Sequence, residues 1–174
     1  MSWEIDPSHS DANFAVRHAM VSTVRGQFKV ISGKLEIDET HPENSSVEAQ
    51  VETASVDTRD AARDGHLRSP DFFDAENYPV ITFKSTRVEP VGGENYRVLG
   101  VLTLHGVEKE VTFDAEYGGQ GKDPWGGTRS GLSAKTTVSR KDFGLTWNAA
   151  LETGGVLVSD AVKIEINLEA VYKG

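Results

Sequence analysis

Apolar and polar residues alternate with a period of two along most of the chain, the pattern of β-strands with one buried face. It is clearest near the C-terminus, where Val162, Ile164, Ile166, Leu168 and Ala170 alternate with Lys163, Glu165, Asn167 and Glu169. The same alternation sets Val107, Lys109, Val111, Phe113, Ala115 and Tyr117 against Glu108, Glu110, Thr112, Asp114 and Glu116. Further strands are predicted over 13–18, 26–37, 46–54, 80–89, 96–104 and 128–138. Within 26–37 the apolar set changes parity between Val30 and Ile31, which predicts a bulge there, close to Gly33.

The connections suit antiparallel pairing. Only His105-Gly106 separates Leu104 from Val107, and glycine in the second loop position fits a tight primed turn. Gly92-Gly93 predicts another turn. The glycine-rich stretch 118–127 predicts a longer mobile loop, with Trp125 packing down as an anchor or lid. One segment breaks the β pattern: 58–67 carries helix formers and a cap at Asp57 or Thr58, and Gly65 inside it argues for a short helix. Ser69-Pro70-Asp71 predicts a second helical turn with a capped start. Ser139 to Gly144 predicts a third, with Gly144 as a left-handed stop.

About eight amphipathic antiparallel strands in sequence order leave exposed edges unless the sheet closes. The expected fold is therefore all-β: a closed antiparallel barrel of about eight strands, with one short α-helix and one or two helical turns near a barrel end. No composition break divides the 174 residues, so 1–174 is one domain.

Composition narrows the function classes. The chain has 27 Asp+Glu against 18 Lys+Arg, a net charge of −9 and no basic run longer than Arg140-Lys141. That argues against a nucleic-acid partner. The absence of cysteine removes disulfides, thiolate metal sites and thiol nucleophiles. No apolar stretch approaches the length of a membrane span. The N-terminal residues lack the basic start and apolar run of a secretory leader, so a cytoplasmic protein is expected, periplasmic only if a leader before Met1 has been removed.

Several motifs together resemble the YceI-like family of lipocalin-like barrels: WEID at 3–6 with His9-Ser10, FAVRH at 14–18, VRGQF at 24–28, HLRSPDFFD at 66–74, Tyr78-Pro79, Ile81-Thr82-Phe83, LTLHGV at 102–107 and RKDFG at 140–144. They cover nearly the whole chain in order, and the HLRSPDFFD and RKDFG stretches are the most specific. The resemblance implies a barrel that binds isoprenoid or other lipid ligands, possesses no catalytic residues to transfer, needs no cofactor and pairs as a homodimer.

The residues themselves point to an apolar bore. Matching parity selects Phe14, Val16, Phe28, Val51, Ile81, Phe83, Leu102, Val111, Phe113, Ile164 and Ile166 as its lining. Leu67, Phe72 and Phe73 would close one end, and Phe143, Leu145 and Trp147 would flank the entrance. Small residues on the same strands (Ala49, Ser85, Gly100, Ala134) would leave room for a ligand. His18 shares the face of Phe14 and Val16, where it is a core histidine with a hydrogen-bond partner, a headgroup contact at the mouth, or a metal ligand. His9, His41, His66 and His105 lack metal-site spacing; His105 reads as a turn residue and His66 as an anchor for the helix. Asp64, Arg68, Asp71, Asp74, Arg140 and Asp142 read as caps and ion pairs fixing the helix.

The leading expectation is non-catalytic binding or carriage of an amphiphile: a polyisoprenoid, an isoprenoid quinone or a fatty-acid derivative. Two alternatives stay open. One is a lipid-modifying enzyme using His18 or the Asp64, Asp71 and Asp142 carboxylates. The other is a structural or stress protein whose barrel is filled.

Overall fold

The computed structural model describes residues 2–19, 21–148 and 158–174. Eleven strand segments are found among them: β1 Ser2–Ile5, β2 Asp11–His18, β3 Ser22–Phe28, β4 Ile31–Glu36, β5 Ser46–Glu52, β6 Val56–Asp57, β7 Val80–Gly92, β8 Asn95–Leu104, β9 Val107–Lys122, β10 Thr128–Ser139 and β11 Val158–Tyr172. Each pairs antiparallel with its neighbours, and the pairing closes on itself because β11 meets both β1 and β2.

The eleven segments make eight staves. β1 and β2 lie in line along β11, interrupted by the turn Pro7–His9. β3 and β4 lie in line beside them, and β5 and β6 in line beside those. The next five staves, β7 to β11, are unbroken and follow one another in chain order. The result is an up-and-down barrel closed through the pairing of β11 with β1 and β2.

The parity change at Val30/Ile31 is therefore a break, not a bulge within one strand. Lys29 and Val30 leave the β2 ladder so that β4 can join β1. Their amide groups are satisfied by the Ser55 carbonyl at 3.2 Å and the Ser55 hydroxyl at 3.2 Å. Gly33 follows the break with φ +150°, and a Cβ there would fall 2.1 Å from the Glu48 carbonyl oxygen. Only glycine lets the two backbones approach so closely.

The helix α1 spans Ala61–Arg68 and is capped by Asp60, whose carboxylate accepts from the Arg63 amide at 3.0 Å. Its start lies later than the sequence pattern suggests, because Thr58 is engaged elsewhere: its amide and hydroxyl both donate to the buried Asp64. Ser69 caps the end of α1 rather than opening a second helix. The chain then folds through tight turns, with Phe72, Phe73 and Asp74 donating back to Ser69, Leu67 and Ser69 carbonyls. The turn Arg140–Phe143 forms as predicted and stops at Gly144 with φ 73°.

Glycine content misleads at 118–127. Residues up to Lys122 belong to β9, with a register shift at Ser130/Leu132 that Gly119 accommodates at φ 83°. Only a short turn remains, and Trp125 there is 86 % exposed, so it is neither anchor nor lid. Asp123 organises that turn by accepting from the Trp125 and Gly127 amides.

The core has two parts. Trp3, Ile5, Leu35, Leu168 and Ala170 close the end away from α1, with Trp3 1 % exposed. Outside this end Arg129 bridges Asp6 at 2.7 Å and Asp123 at 3.0 Å, tying β1 to β10. Val88, Val98, Phe113 and Ala115 form the second cluster on the β7–β9 wall.

Candidate functional site

The middle of the barrel is not filled. It holds a chamber of about 280 Å³ that is partly open to solvent and lies toward the end carrying α1 and the 140–147 segment. For scale, an engineered apolar cavity of about 150 Å³ remains dry and takes up benzene. A second cavity of about 120 Å³ lies toward the opposite end and shares Val47, Val98 and Leu132 with the first as walls.

Inward residues of consecutive staves meet around the chamber, as the two-residue period of a strand requires. Phe14, Val16 and His18 come from β2, Phe28 from β3, and Val51 from β5. Ile81 and Phe83 come from β7, Leu102 from β8, Phe113 from β9, and Ile164 and Ile166 from β11. From the helix-bearing end Leu67, Phe72, Phe73, Phe143, Leu145 and Trp147 reach the same space. Phe14, Phe28 and Phe73 pack together there at centroid separations of 5.4 to 6.5 Å.

Val111 lies off the chamber, half-buried against both core clusters. It pairs with Gly100, and the Phe83 ring occupies the space over that glycine, 2.6 Å from where a Cβ would sit. Gly100 therefore admits an aromatic ring rather than leaving room for a ligand. Ser85 spends its hydroxyl on the Val47 amide at 2.8 Å. Ala49 and Ala134 do border the chamber.

Parity alone did not single out Arg63, His66 or Arg140 as lining groups, yet all three border the chamber. Arg140 is 5 % exposed. Its guanidinium donates to the carbonyls of Ser159 (2.9 Å), Leu145 (2.8 Å), Trp147 (3.2 Å) and Val158 (3.3 Å). It therefore pins the RKDFG turn to the start of β11. Burial lowers its pKa from the ordinary arginine value, opposed by Asp160, 3.9 Å away. His66 stands edge-on to Trp147 at 4.7 Å and to Phe72 at 5.0 Å, with Nε2 2.8 Å from the Asp71 carboxylate. This holds the helix across the barrel end.

His105 does more than turn the chain: its Nδ1 lies 3.1 Å from the Phe143 carbonyl and its ring 4.9 Å from Tyr78. Asp64 is used up by Thr58 and Asp71 by His66. None of Asp64, Asp71 and Asp142 borders the chamber. His18 does, and its imidazole makes no hydrogen bond among the described residues. Among the described residues no grouping of histidine and carboxylate side chains could hold a metal ion, and no helix is long and apolar enough to cross a membrane.

The sequence profile described as the YceI-like domain matches residues 3–170. The chain belongs to the YceI-like family. A UPF0312 protein of Vibrio cholerae is 40 % identical over 166 residues, covering 95 % of this chain and 84 % of the relative. One from Pseudomonas putida is 39 % identical over 163 residues, covering 94 % and 81 %. Among solved structures, Burkholderia cenocepacia BcnA superimposes with a TM-score of 0.84 at 25 % identity, over 95 % of this chain and 98 % of that one. The Campylobacter jejuni YceI protein gives 0.78 at 33 % identity, over 91 % and 90 %. A domain from Saccharophagus degradans, described as polyisoprenoid binding, gives 0.70 at 19 % identity over 98 % of each chain, a likeness of fold. The YceI-like barrel is thus the frame for all the geometry above.

Proposed function

We propose that this YceI-like protein binds and carries, without chemical change, an amphiphilic lipid whose hydrocarbon tail lies in the bore: a polyisoprenoid, an isoprenoid quinone or a fatty-acid derivative. The observation that carries the reading is the unfilled chamber of about 280 Å³ inside a closed sheet, walled almost wholly by aliphatic and aromatic side chains. A void of that size forgoes packing that a merely structural barrel would keep. A tail of roughly ten methylenes recovers about 0.8 kcal/mol each, about 8 kcal/mol, which corresponds to about micromolar affinity before ordering costs. The solved Saccharophagus degradans domain, described as polyisoprenoid binding, has the same fold and supports the isoprenoid choice to that extent only. Asp64 and Asp71 are engaged by Thr58 and His66, and neither they nor Asp142 borders the chamber, which favours carriage over catalysis. A homodimer belongs to the same proposal, and sedimentation at the mass of one chain would remove it.

The test is organic extraction and native mass spectrometry of protein purified without added detergent, followed by titration with geranylgeraniol. One lipid per chain, or saturable binding of the probe, is expected. A chain that emerges empty and ignores the probe up to its solubility overturns the proposal.

A further inference from the structure

The bore is two spaces in series, and three residues wall both: Val47 on β5, Val98 on β8 and Leu132 on β10. The neighbours of these three sort by chamber. Two positions one way, Ala49 and Ala134 line the first chamber and not the second. On β8 the corresponding place, Gly100, is taken by the Phe83 ring, which also lines the first chamber. Two positions the other way, Ser45, Tyr96 and Ser130 line the second chamber and not the first. Inward side chains recur at every second residue of a strand. The three shared residues therefore stand at one depth and form a waist between the chambers.

The waist is not equally firm all round. Val98 is buried and fixed among Val88, Phe113 and Ala115. Val47 and Leu132 are half-buried, with void on both sides of each, so their side chains can turn aside without breaking a polar bond. The second chamber, of about 120 Å³, is roofed by the segment joining β4 to β5. Asp38 holds that roof in place. Its carboxylate accepts from the amides of Thr40 at 3.1 Å and His41 at 2.9 Å, and its own amide donates to the Ser45 hydroxyl at 3.0 Å. Glu36 and Glu39 stand exposed at the same roof, so hydrocarbon gains nothing by passing beyond it.

We infer that Val47, Val98 and Leu132 set the length of tail the protein prefers: a short tail stays in the first chamber, and a longer one passes the waist and fills the second. The inference rests on the carriage proposed above and names the length class of the lipid carried. If the 280 Å³ of the first chamber takes about ten methylenes, the 120 Å³ of the second takes about four more in proportion. Each buried methylene tightens binding about fourfold, so crossing the waist is worth about two-hundredfold in Kd. Beyond the roof the gain stops, and the three aliphatic side chains thus act as the mark on a ruler.

The experiment titrates three prenols with one headgroup into the full chain: geraniol, farnesol and geranylgeraniol, of two, three and four isoprene units. Farnesol is expected to bind about two-hundredfold more tightly than geraniol, and geranylgeraniol no more than about fourfold more tightly than farnesol. Leu132→Phe and Val47→Phe each put a ring across the waist. Each should cut the farnesol advantage to less than about tenfold and leave geraniol within about threefold of wild type, with thermal unfolding reporting that the barrel is intact. Ala134→Phe, one pleat into the first chamber, should by contrast weaken geraniol as well. Equal loss of geraniol and farnesol in both waist variants, an undiminished farnesol advantage in both, or a wild-type gain from farnesol to geranylgeraniol as large as that from geraniol to farnesol overturns the length assignment and leaves carriage standing. Binding of none of the three prenols removes carriage itself and the length assignment with it.

Discussion

If a tail occupies the chamber, adding bulk to the wall must evict it without unfolding the barrel. Ala134 sits on β10 facing Ala115 and Ile166 across the ladders and borders the chamber. Ala134→Phe places a phenyl ring in the void. A cavity of about 150 Å³ is what one benzene requires, so the ring takes about half of the 280 Å³. Half of a ten-methylene tail is worth about 4 kcal/mol, about a thousandfold in Kd. Overpacking a dense core costs about 1–3 kcal/mol, but here the new ring meets empty space. The thermal midpoint should therefore stay within a few degrees of wild type or rise. Lys135→Phe, one residue along and exposed, is the matched control and should bind normally. Competition against a fluorescent polyene lipid reads the affinity, and thermal unfolding reads the fold. A stable Ala134→Phe protein with wild-type affinity would refute the placement of the tail.

The remaining predictions concern what holds the chamber in shape. Gly33→Ala should destabilise by about 1–3 kcal/mol in urea unfolding, because an alanine is strained at φ +150° and its Cβ would collide with the Glu48 carbonyl. Arg140→Met should cost about 3–5 kcal/mol by stranding the carbonyls of Leu145, Trp147, Val158 and Ser159, whereas Lys141→Met should change stability by less than about 0.5 kcal/mol. Asp6 is held far below the usual carboxylate range, first by Arg129 and then by Ser8 and His9. A depressed folded-state pKa contributes stability that is complete above the unfolded value of about 3.9 and is lost as pH falls through the folded value. Asp6→Asn should thus lower the thermal midpoint at pH 7 and flatten its fall below about pH 4; an unchanged acid limb would deny the Arg129 pair its role.

Much of this architecture is legible in the alternation of side chains, and the exceptions share a cause. The staves β7 to β11 are each one unbroken strand, bulged only locally, so parity finds them and the inward Phe83, Leu102, Phe113, Ile164 and Ile166. The first three staves are each interrupted, at Pro7–His9, at Lys29-Val30 and at Thr53–Ser55. Those interruptions answer to partners far along the chain, such as Ser55 for Lys29 and Val30, and no local pattern announces them. Glycine was ambiguous for the same reason: at 118–122 it serves a paired, bulged strand, and at 100 it makes way for Phe83.

The charged lining of the chamber is a sharper case. Arg63 lies in a polar helix and Arg140 in a charge-rich turn, and by composition both read as solvated side chains. What turns Arg140 inward is its set of carbonyl acceptors, two of them in β11, which reaches it only because the barrel closes. What fixes Arg63 is Thr58, five residues earlier, itself held by Asp64. Net charge describes the outer surface, where most of the 27 acids stand. It says nothing of a chamber that the same chain lines with arginine and histidine. The chemistry of the bore is therefore set by which strands the closure brings together, not by the overall charge of the chain.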